Sequence, residues 1–279
     1  MTIIHHQNVT IGPLTFDCAC IGDPNHPLVF LLHGFPESNI MWQRLMSDLS
    51  AQGYYCVAPN MRGYSAAARP KSLFEYGADK LIQDVIDIAT YFTSEKFHLI
   101  GHDWGAAIGW QTVGKFPELF HSWTALSVPH PNALGKAIKS DKVQRKKSQY
   151  IFFFCLKWIP EWYLLRKNCR NLKKIWKSAT ALEVSEYLKI LGDKEGLRAA
   201  LNYYRANFGR NRPRLPKHII TTRTLYIWGI YDVAIGSIAA NYCKRYTSGP
   251  FIFLELNAGH WLIQTQYEKI YKAIINHLQ

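Results

Sequence analysis

The first half of the chain alternates short apolar runs with segments in which apolar residues recur every three or four positions. The runs "PLVFLLHG" (27–34), "YYCVAP" (54–59) and "FHLIGH" (97–102) are typical of buried β-strands. Helices are predicted between them, near residues 40–51 and 78–93. Strands that are apolar on both faces and alternate with helices indicate a parallel sheet covered on both sides.

The alternation continues after residue 103 with a predicted helix and a strand near 122–128, and then stops. The next part of the sequence is helical in pattern, aromatic and basic, without strand-like runs. Strand patterns return at "RTLYIWG" (223–229) and "FIFLEL" (251–256), and each is followed by a predicted helix. This interruption indicates an insertion into an α/β unit.

The pattern therefore predicts an α/β core domain built from residues 1–129 and 218–279, with a mostly parallel sheet flanked by helices. Residues 130–217 are predicted to form an inserted helical cap, or lid, domain. An insert at this point would sit above the carboxyl ends of the strands, where open α/β sheets bind their ligands.

Composition favours a soluble protein. Hydrophobic residues make up 48% and charged residues 19% of the 279 positions, and no apolar stretch reaches the ~18 residues needed for a membrane span. The first residues, "MTIIHHQNVTIGPLTFD", do not resemble a secretory signal, so we expect a cytoplasmic protein. The six cysteines are scattered and are expected to be free thiols, and no metal or cofactor is expected.

The formal net charge of +13 is concentrated in the predicted cap. Residues 136–177 carry thirteen Lys or Arg against two acids. No nucleic-acid-binding motif accompanies this excess, so we expect a solvated basic surface and no nucleic-acid partner. Peripheral membrane contact through the basic, aromatic cap stays open as an alternative but is not expected, because "YIFFFCLKWIPEWYLL" (150–165) is interrupted by Lys157, Pro160 and Glu161 and would equally line an apolar tunnel.

The stretch "GHDWGA" has the form of a sharp strand-to-helix turn that presents a nucleophile. Gly101, Gly105 and Ala106 are small residues before and after Asp103, as such a turn requires. Asp103 is therefore predicted to be the nucleophile, although an Asp at this position could also act only as a helix cap.

A carboxylate nucleophile needs a base for the second step and an acid that orients the base. His260, in "LNAGHWL", lies in a glycine-preceded loop between a strand and the final helix and is predicted to be the base. Asp232 follows the strand that ends at Gly229 and is predicted to be the acid. The order Asp103, Asp232, His260 is that of nucleophile, acid and base in α/β-hydrolases.

Taken together, "HGFPES", "GHDWGA", "YDVAI" and "AGHW" resemble the epoxide hydrolases of the α/β-hydrolase superfamily over almost the whole chain. The resemblance implies that the backbone N–H groups of Phe35 and Trp104 form an oxyanion hole and that the Phe35–Pro36 bond is cis. Phe35, Trp104 and Trp261 are also expected to bind substrate.

The resemblance also implies two proton donors in the cap. Tyr150 in "SQYIFFF" and Tyr204 in "LNYYR" stand at the family's tyrosine positions. A departing epoxide oxygen needs such donors, whereas a halide does not. The expected reaction is hydrolysis of apolar epoxides to vicinal diols through an Asp103 ester, with water and a small epoxide as the reactants.

Two other functions remain open. Haloalkane dehalogenases use the same kind of nucleophile with a Trp directly after it, as Trp104 is here, but usually carry Asn where this chain has Phe35. A non-catalytic α/β-hydrolase-fold binding protein is the second alternative. The presence of all five dispersed catalytic residues argues against it.

Overall fold

The structure is a computed structural model and describes residues 3–208 and 218–279. Its strands form one eight-stranded sheet in the order β1-β2-β4-β3-β5-β6-β7-β8. The strands are β1 (His5–Ile11), β2 (Leu14–Ile21), β3 (Leu28–Leu32), β4 (Tyr55–Pro59), β5 (Phe97–His102), β6 (Phe120–Leu126), β7 (Thr224–Gly229) and β8 (Phe251–Leu256).

Helices connect the strands of the core and follow the last one. These are α1 (Gln43–Ser50), α2 (Ala78–Phe92), α3 (Trp104–Lys115), α10 (Ser237–Tyr242), α11 (Leu262–Thr265) and α12 (Tyr267–Leu278). Short 3₁₀ turns lie at Asn39–Trp42, Ala66–Ala68, Leu73–Tyr76, Pro117–Leu119 and Cys243–Tyr246. The described residues between β6 and β7 form six further helices: α4 (Pro131–Ser140), α5 (Lys142–Lys147), α6 (Gln149–Cys155), α7 (Ile159–Lys173), α8 (Ala181–Leu191) and α9 (Lys194–Phe208).

The sheet is parallel from β4 to β8, and β2 pairs antiparallel with both β1 and β4. The predicted α/β-hydrolase fold, with a mostly parallel sheet flanked by helices, is confirmed. In the sheet, β5, β6, β7 and β8 are consecutive neighbours. Their carboxyl ends therefore meet at one edge, where the loops after β5, β7 and β8 can place side chains side by side.

Each face of the sheet is covered by its own apolar cluster. In the fully buried strand β3, Phe30 and Leu32 belong to the cluster that includes α2 and α3. Val29 and Leu31 point to the other side and join the cluster formed with α1 and α12. The alternation follows from the two-residue period of a strand, and burial on both faces explains why the strand lacks polar residues.

The segment between β6 and β7 contains no strand within its described residues, as the sequence pattern predicts. Its helices contact the core at several points; for example, the Trp176 indole N–H donates to the Pro36 carbonyl oxygen at 2.9 Å. Residues 209–217, the last part of the predicted cap, lie outside the described residues. The division into a core domain and a cap domain stays a prediction.

Within residues 3–208 and 218–279, no helix is both long and apolar enough to cross a bilayer.

The turn between β5 and α3 requires that α3 approach strand β3 closely. A Cβ atom added at Gly105 would lie 2.1 Å from the Leu32 carbonyl oxygen, which is far inside van der Waals contact. The neighbouring backbone is part of the sheet and cannot move away. A glycine at this position is therefore needed for packing.

We expect Gly105→Ala to lower the free energy of unfolding by about 1–3 kcal/mol, the range typical of overpacked cores. Urea denaturation followed by circular dichroism measures this change. Gly135→Ala is the matched control, because Gly135 lies within α4 and an added Cβ there meets no atom within 4 Å. The control should be neutral or stabilising by up to ~1 kcal/mol. Equal effects of the two substitutions would contradict this reading of the turn.

Candidate active site

Asp103 lies between β5 and α3 in a backbone conformation that few residues other than glycine adopt. Its φ is 51° and its ψ is −115°. Its side chain is only 6% exposed. A non-glycine residue in this region costs free energy and is held there by its surroundings, a combination that is frequent at functional sites. The conformation agrees with the strand-to-helix turn inferred from "GHDWGA".

The structure brings three of the five predicted catalytic residues together at the carboxyl edge of the sheet. The Nε2 atom of His260 lies 3.4 Å from Asp103 Oδ2. On the other side of the ring, His260 Nδ1 lies 3.0 Å from Asp232 Oδ2. Asp232 also accepts hydrogen bonds from the backbone N–H groups of Ala234 and Ile235, which fix its loop.

The three side chains shift one another's pKa values in opposite directions. Burial by itself disfavours the charged form of each group. For Asp103 and Asp232 this effect is outweighed by the hydrogen bonds and charge of His260, so both pKa values fall below the ordinary value. For His260 burial is outweighed by the two carboxylates, which raise its pKa well above the ordinary value.

Ser127 is a site residue that the sequence analysis did not identify. It follows β6, the strand between β5 and β7, and has a positive φ of 69°. Its hydroxyl donates to Asp232 Oδ2 at 2.6 Å and lies 2.8 Å from His260 Nδ1. It therefore contacts both members of the His260–Asp232 pair. The only sequence signal was its place at the end of a central strand.

A second buried pair, also not identified from the sequence, lies directly behind His260. His102 Nδ1 is 3.2 Å from Glu37 Oε2, and both side chains are buried. The other ring nitrogen, His102 Nε2, is 3.0 Å from the His260 carbonyl oxygen. Gln264 donates to Glu37 Oε1 at 2.6 Å. Glu37 lies within the quoted motif "HGFPES", which was the available signal.

The backbone N–H of Phe35 donates to Asp103 Oδ1 at 2.9 Å. The expected cis peptide bond between Phe35 and Pro36 is present. Oδ1 is thus held by a backbone donor, while Oδ2 is the oxygen nearest His260. The N–H group of Phe35, one of the two predicted oxyanion-hole donors, is therefore hydrogen-bonded to the Asp103 carboxylate itself.

Aromatic rings enclose this carboxylate. The Tyr204 ring contacts the rings of Phe35, Trp104 and Tyr150 at centroid distances of 5.6, 5.1 and 6.1 Å. Burial is the main cause that raises the pKa of both tyrosines, and the charge of Asp103 adds to it. Both hydroxyls are therefore protonated at neutral pH and available as donors.

Trp261 packs edge to face against His260, with ring centroids 4.8 Å apart. It also contacts the His102 ring, and the centroids of the Trp261 and His102 rings are 5.7 Å apart.

Among the described residues, no group of three or more His, Cys, Asp or Glu side chains could hold a metal ion.

Comparison with known proteins places this geometry in context. The family model for the α/β-hydrolase fold matches residues 27–265. AB hydrolase superfamily protein YfhM of Bacillus subtilis (strain 168) is 33% identical, over 98% of this chain and 95% of its own length. Epoxide hydrolase 4 of Homo sapiens is 31% identical, over 94% of this chain and 75% of its own length.

A solved structure described as a novel epoxide hydrolase from metagenomes of hot environments superimposes with a TM-score of 0.86 at 25% identity, covering 99% of each chain. The resemblance to epoxide hydrolases inferred from the motifs is confirmed by these names. The match over most of the chain and the common fold show that this chain belongs to the α/β-hydrolase fold family.

Proposed function

We propose that the protein is an epoxide hydrolase that converts apolar epoxides to vicinal diols through a covalent ester on Asp103. One observation carries the proposal: the buried Asp103 carboxylate contacts the Nε2 atom of His260, and the Nδ1 atom of the same ring is hydrogen-bonded to Asp232. The relatives named epoxide hydrolase support it.

A carboxylate at this position favours reaction at a saturated carbon. Attack on an ester or amide would form a reactive anhydride, whereas attack on an epoxide carbon forms a stable alkyl ester. In the proposed first step, Asp103 Oδ2 forms a bond to the epoxide carbon and the carbon–oxygen bond of the ring breaks. Oδ1, held by the Phe35 N–H, remains as the carbonyl oxygen of the ester.

The epoxide oxygen leaves with the electron pair of the broken bond and needs a proton. We assign this donation to the hydroxyls of Tyr150 and Tyr204, whose rings contact each other edge to face with centroids 6.1 Å apart. Both residues lie on the inserted helices, α6 and α9. These helices are therefore proposed to act as a cap that supplies the proton donors.

In the second step, His260 removes a proton from water, and the resulting hydroxide attacks the Asp103 carbonyl carbon. The Phe35 and Trp104 N–H groups stabilise the oxyanion. When it collapses, the ester carbon–oxygen bond breaks and the departing diol oxygen takes the proton that His260 holds. The proton of the Asp103 carboxylic acid so formed returns to the tyrosine that protonated the epoxide oxygen, which restores both groups. Ester formation also prepares His260 for this step. It removes the charge of Asp103, one of the two carboxylates that raise the His260 pKa, so that the pKa falls when a base is needed.

The six cysteines are free thiols, as is usual in a reducing compartment. Cytoplasmic localisation is part of the same proposal.

We predict that diol formation dominates when the protein is incubated with styrene oxide, aliphatic epoxides and bromoalkanes, without added metal or nucleotide. The two tyrosine hydroxyls can donate a proton to the alkoxide that leaves when an epoxide opens, whereas a departing halide needs no proton. Chromatography of the diols and an assay of released bromide measure the two reactions. Release of bromide without formation of diol would favour the haloalkane dehalogenase alternative. If neither diol nor bromide is formed, the result would favour the binding-protein alternative.

The covalent step is tested by His260→Gln. Asp103 is ionised without help from a base, so this variant should react once with the epoxide and then stop. Intact-mass spectrometry should show the added mass of one epoxide, and digestion should place it on the peptide that contains "GHDWGA". Asp103→Ala is the control and should gain no mass. A label on Asp232, or none on a folded His260→Gln protein, would overturn the mechanism.

The tyrosines are tested by Tyr150→Phe and Tyr204→Phe. Loss of a general acid should slow alkylation by roughly 10- to 1,000-fold and leave hydrolysis of the ester nearly unchanged. Stopped-flow fluorescence separates the two steps. Tyr203→Phe is the matched control, because the Tyr203 hydroxyl donates instead to the Arg62 carbonyl oxygen at 2.8 Å. Normal alkylation in both test variants would show that other groups protonate the oxygen.

A further inference from the structure

Helices α6 and α7 present large apolar side chains to solvent. Trp158 is 71% exposed and Trp162 is 63% exposed. The exposed apolar residues of this region, called here the aromatic face, are Phe152, Leu156, Trp158, Ile159, Trp162 and Tyr163. Single exposed apolar residues are common on proteins, but a cluster of this kind marks an interaction surface.

The aromatic face is organised by helix periodicity. On α7, Ile159, Trp162 and Tyr163 occupy positions i, i+3 and i+4 and so share one side of the helix, while Glu161 and Leu164 on the other side are buried. Phe152 lies on α6, and Leu156 directly follows the end of that helix. The sequence left open whether these rings line an internal tunnel. Their exposure shows that they do not.

Trp158 joins the two helices and adopts a left-handed conformation, with a φ of 63°. This conformation is costly for a bulky residue. The Trp158 indole ring is nevertheless exposed to solvent in the turn between α6 and α7. Packing among residues 3–208 and 218–279 does not account for such an arrangement, whereas contact with a partner would.

The charges that neighbour the aromatic face in sequence are almost all positive. Between residues 142 and 182 the sequence contains a single acid, Glu161. Glu161 is buried and accepts two hydrogen bonds of 2.9 Å from the guanidinium of Arg205, so its charge is neutralised. Exposed basic residues lie close to the face in sequence: Lys157, Arg166, Lys167, Arg170 and Lys174.

We propose that the aromatic face docks on an anionic lipid membrane surface. Tryptophan and other aromatic side chains insert at the level of the lipid headgroups, and lysine and arginine beside them bind the anionic headgroups. The Arg166 guanidinium already stacks on the Trp162 ring, 4.8 Å from its centroid, which places a cation and an interfacial ring together. The proposal concerns a surface and does not rest on the enzymatic activity.

The test is flotation of the whole protein with vesicles of phosphatidylserine and phosphatidylcholine, compared with vesicles of phosphatidylcholine alone. We expect binding to the anionic vesicles that weakens as salt is raised. Tryptophan fluorescence should shift to the blue on binding, because Trp158 and Trp162 are the exposed ones among the nine tryptophans.

Two pairs of variants separate the apolar and the charged contributions. Trp158→Ser with Trp162→Ser should weaken binding at least about tenfold, whereas Phe74→Ser, which removes an exposed ring elsewhere, should not. Lys157→Glu with Lys167→Glu should also weaken binding at least about tenfold. Lys80→Glu with Lys272→Glu changes the net charge equally at exposed positions elsewhere and should have little effect.

Absence of binding to anionic vesicles would overturn the proposal. Equal binding to both kinds of vesicle would overturn it as well, because the basic residues would then have no function in docking. Sedimentation of the free protein tests a second copy of this chain as the occupant. A dimer that Trp158→Ser with Trp162→Ser abolishes, together with no vesicle binding, would assign the face to self-association.

Discussion

The site depends on one imidazole shared by two buried carboxylates. His260 is 5% exposed and lies between Asp103 and Asp232, so two negative charges and one ring are removed from water together. Charges in such surroundings are tolerated only when they are paired and hydrogen-bonded. The Phe35 N–H, the Ser127 hydroxyl and the turn after Asp232 supply those bonds. The hydrogen bonds that stabilise these buried charges therefore also fix the positions of the loops at the carboxyl edge of the sheet.

Local patterns were sufficient to predict strands β3 to β8, the turn at Asp103, and the approach of His260 and Asp232 to that turn, whereas β1 and β2 were not predicted. Each of these has a signature within a few residues: an apolar run, small residues around an Asp, or a loop after a strand. Ser127 and the Glu37–His102 pair could not be predicted in this way. Their contacts join residues that are distant in sequence, and a lone serine or glutamate carries no sign of its partner. Periodicity likewise could not reveal which aromatic residues of α6 and α7 face solvent.

Neighbouring tyrosines on α9 show how the inserted helices are fixed to the core. The Tyr203 hydroxyl is bonded to the Arg62 carbonyl oxygen, and the Arg62 guanidinium forms two hydrogen bonds of 2.6 Å with Asp84. Tyr204 turns instead toward Phe35 and Trp104. One ring therefore anchors the helix while the next faces Asp103. A shift of α9 by one residue would exchange the two positions, so the register of the whole helix against the core sets the geometry proposed for proton donation.

The residues around Asp103 belong to two separable parts of the chain. Asp103, Ser127, Asp232 and His260 follow strands of the sheet, whereas Tyr150 and Tyr204 are carried by helices inserted between β6 and β7. Substitutions on the inserted helices at positions other than these two tyrosines can therefore change the space beside Asp103 without disturbing the cluster of Asp103, His260 and Asp232. Under the proposed function, new substrate preferences can arise in this way without a change in the chemistry.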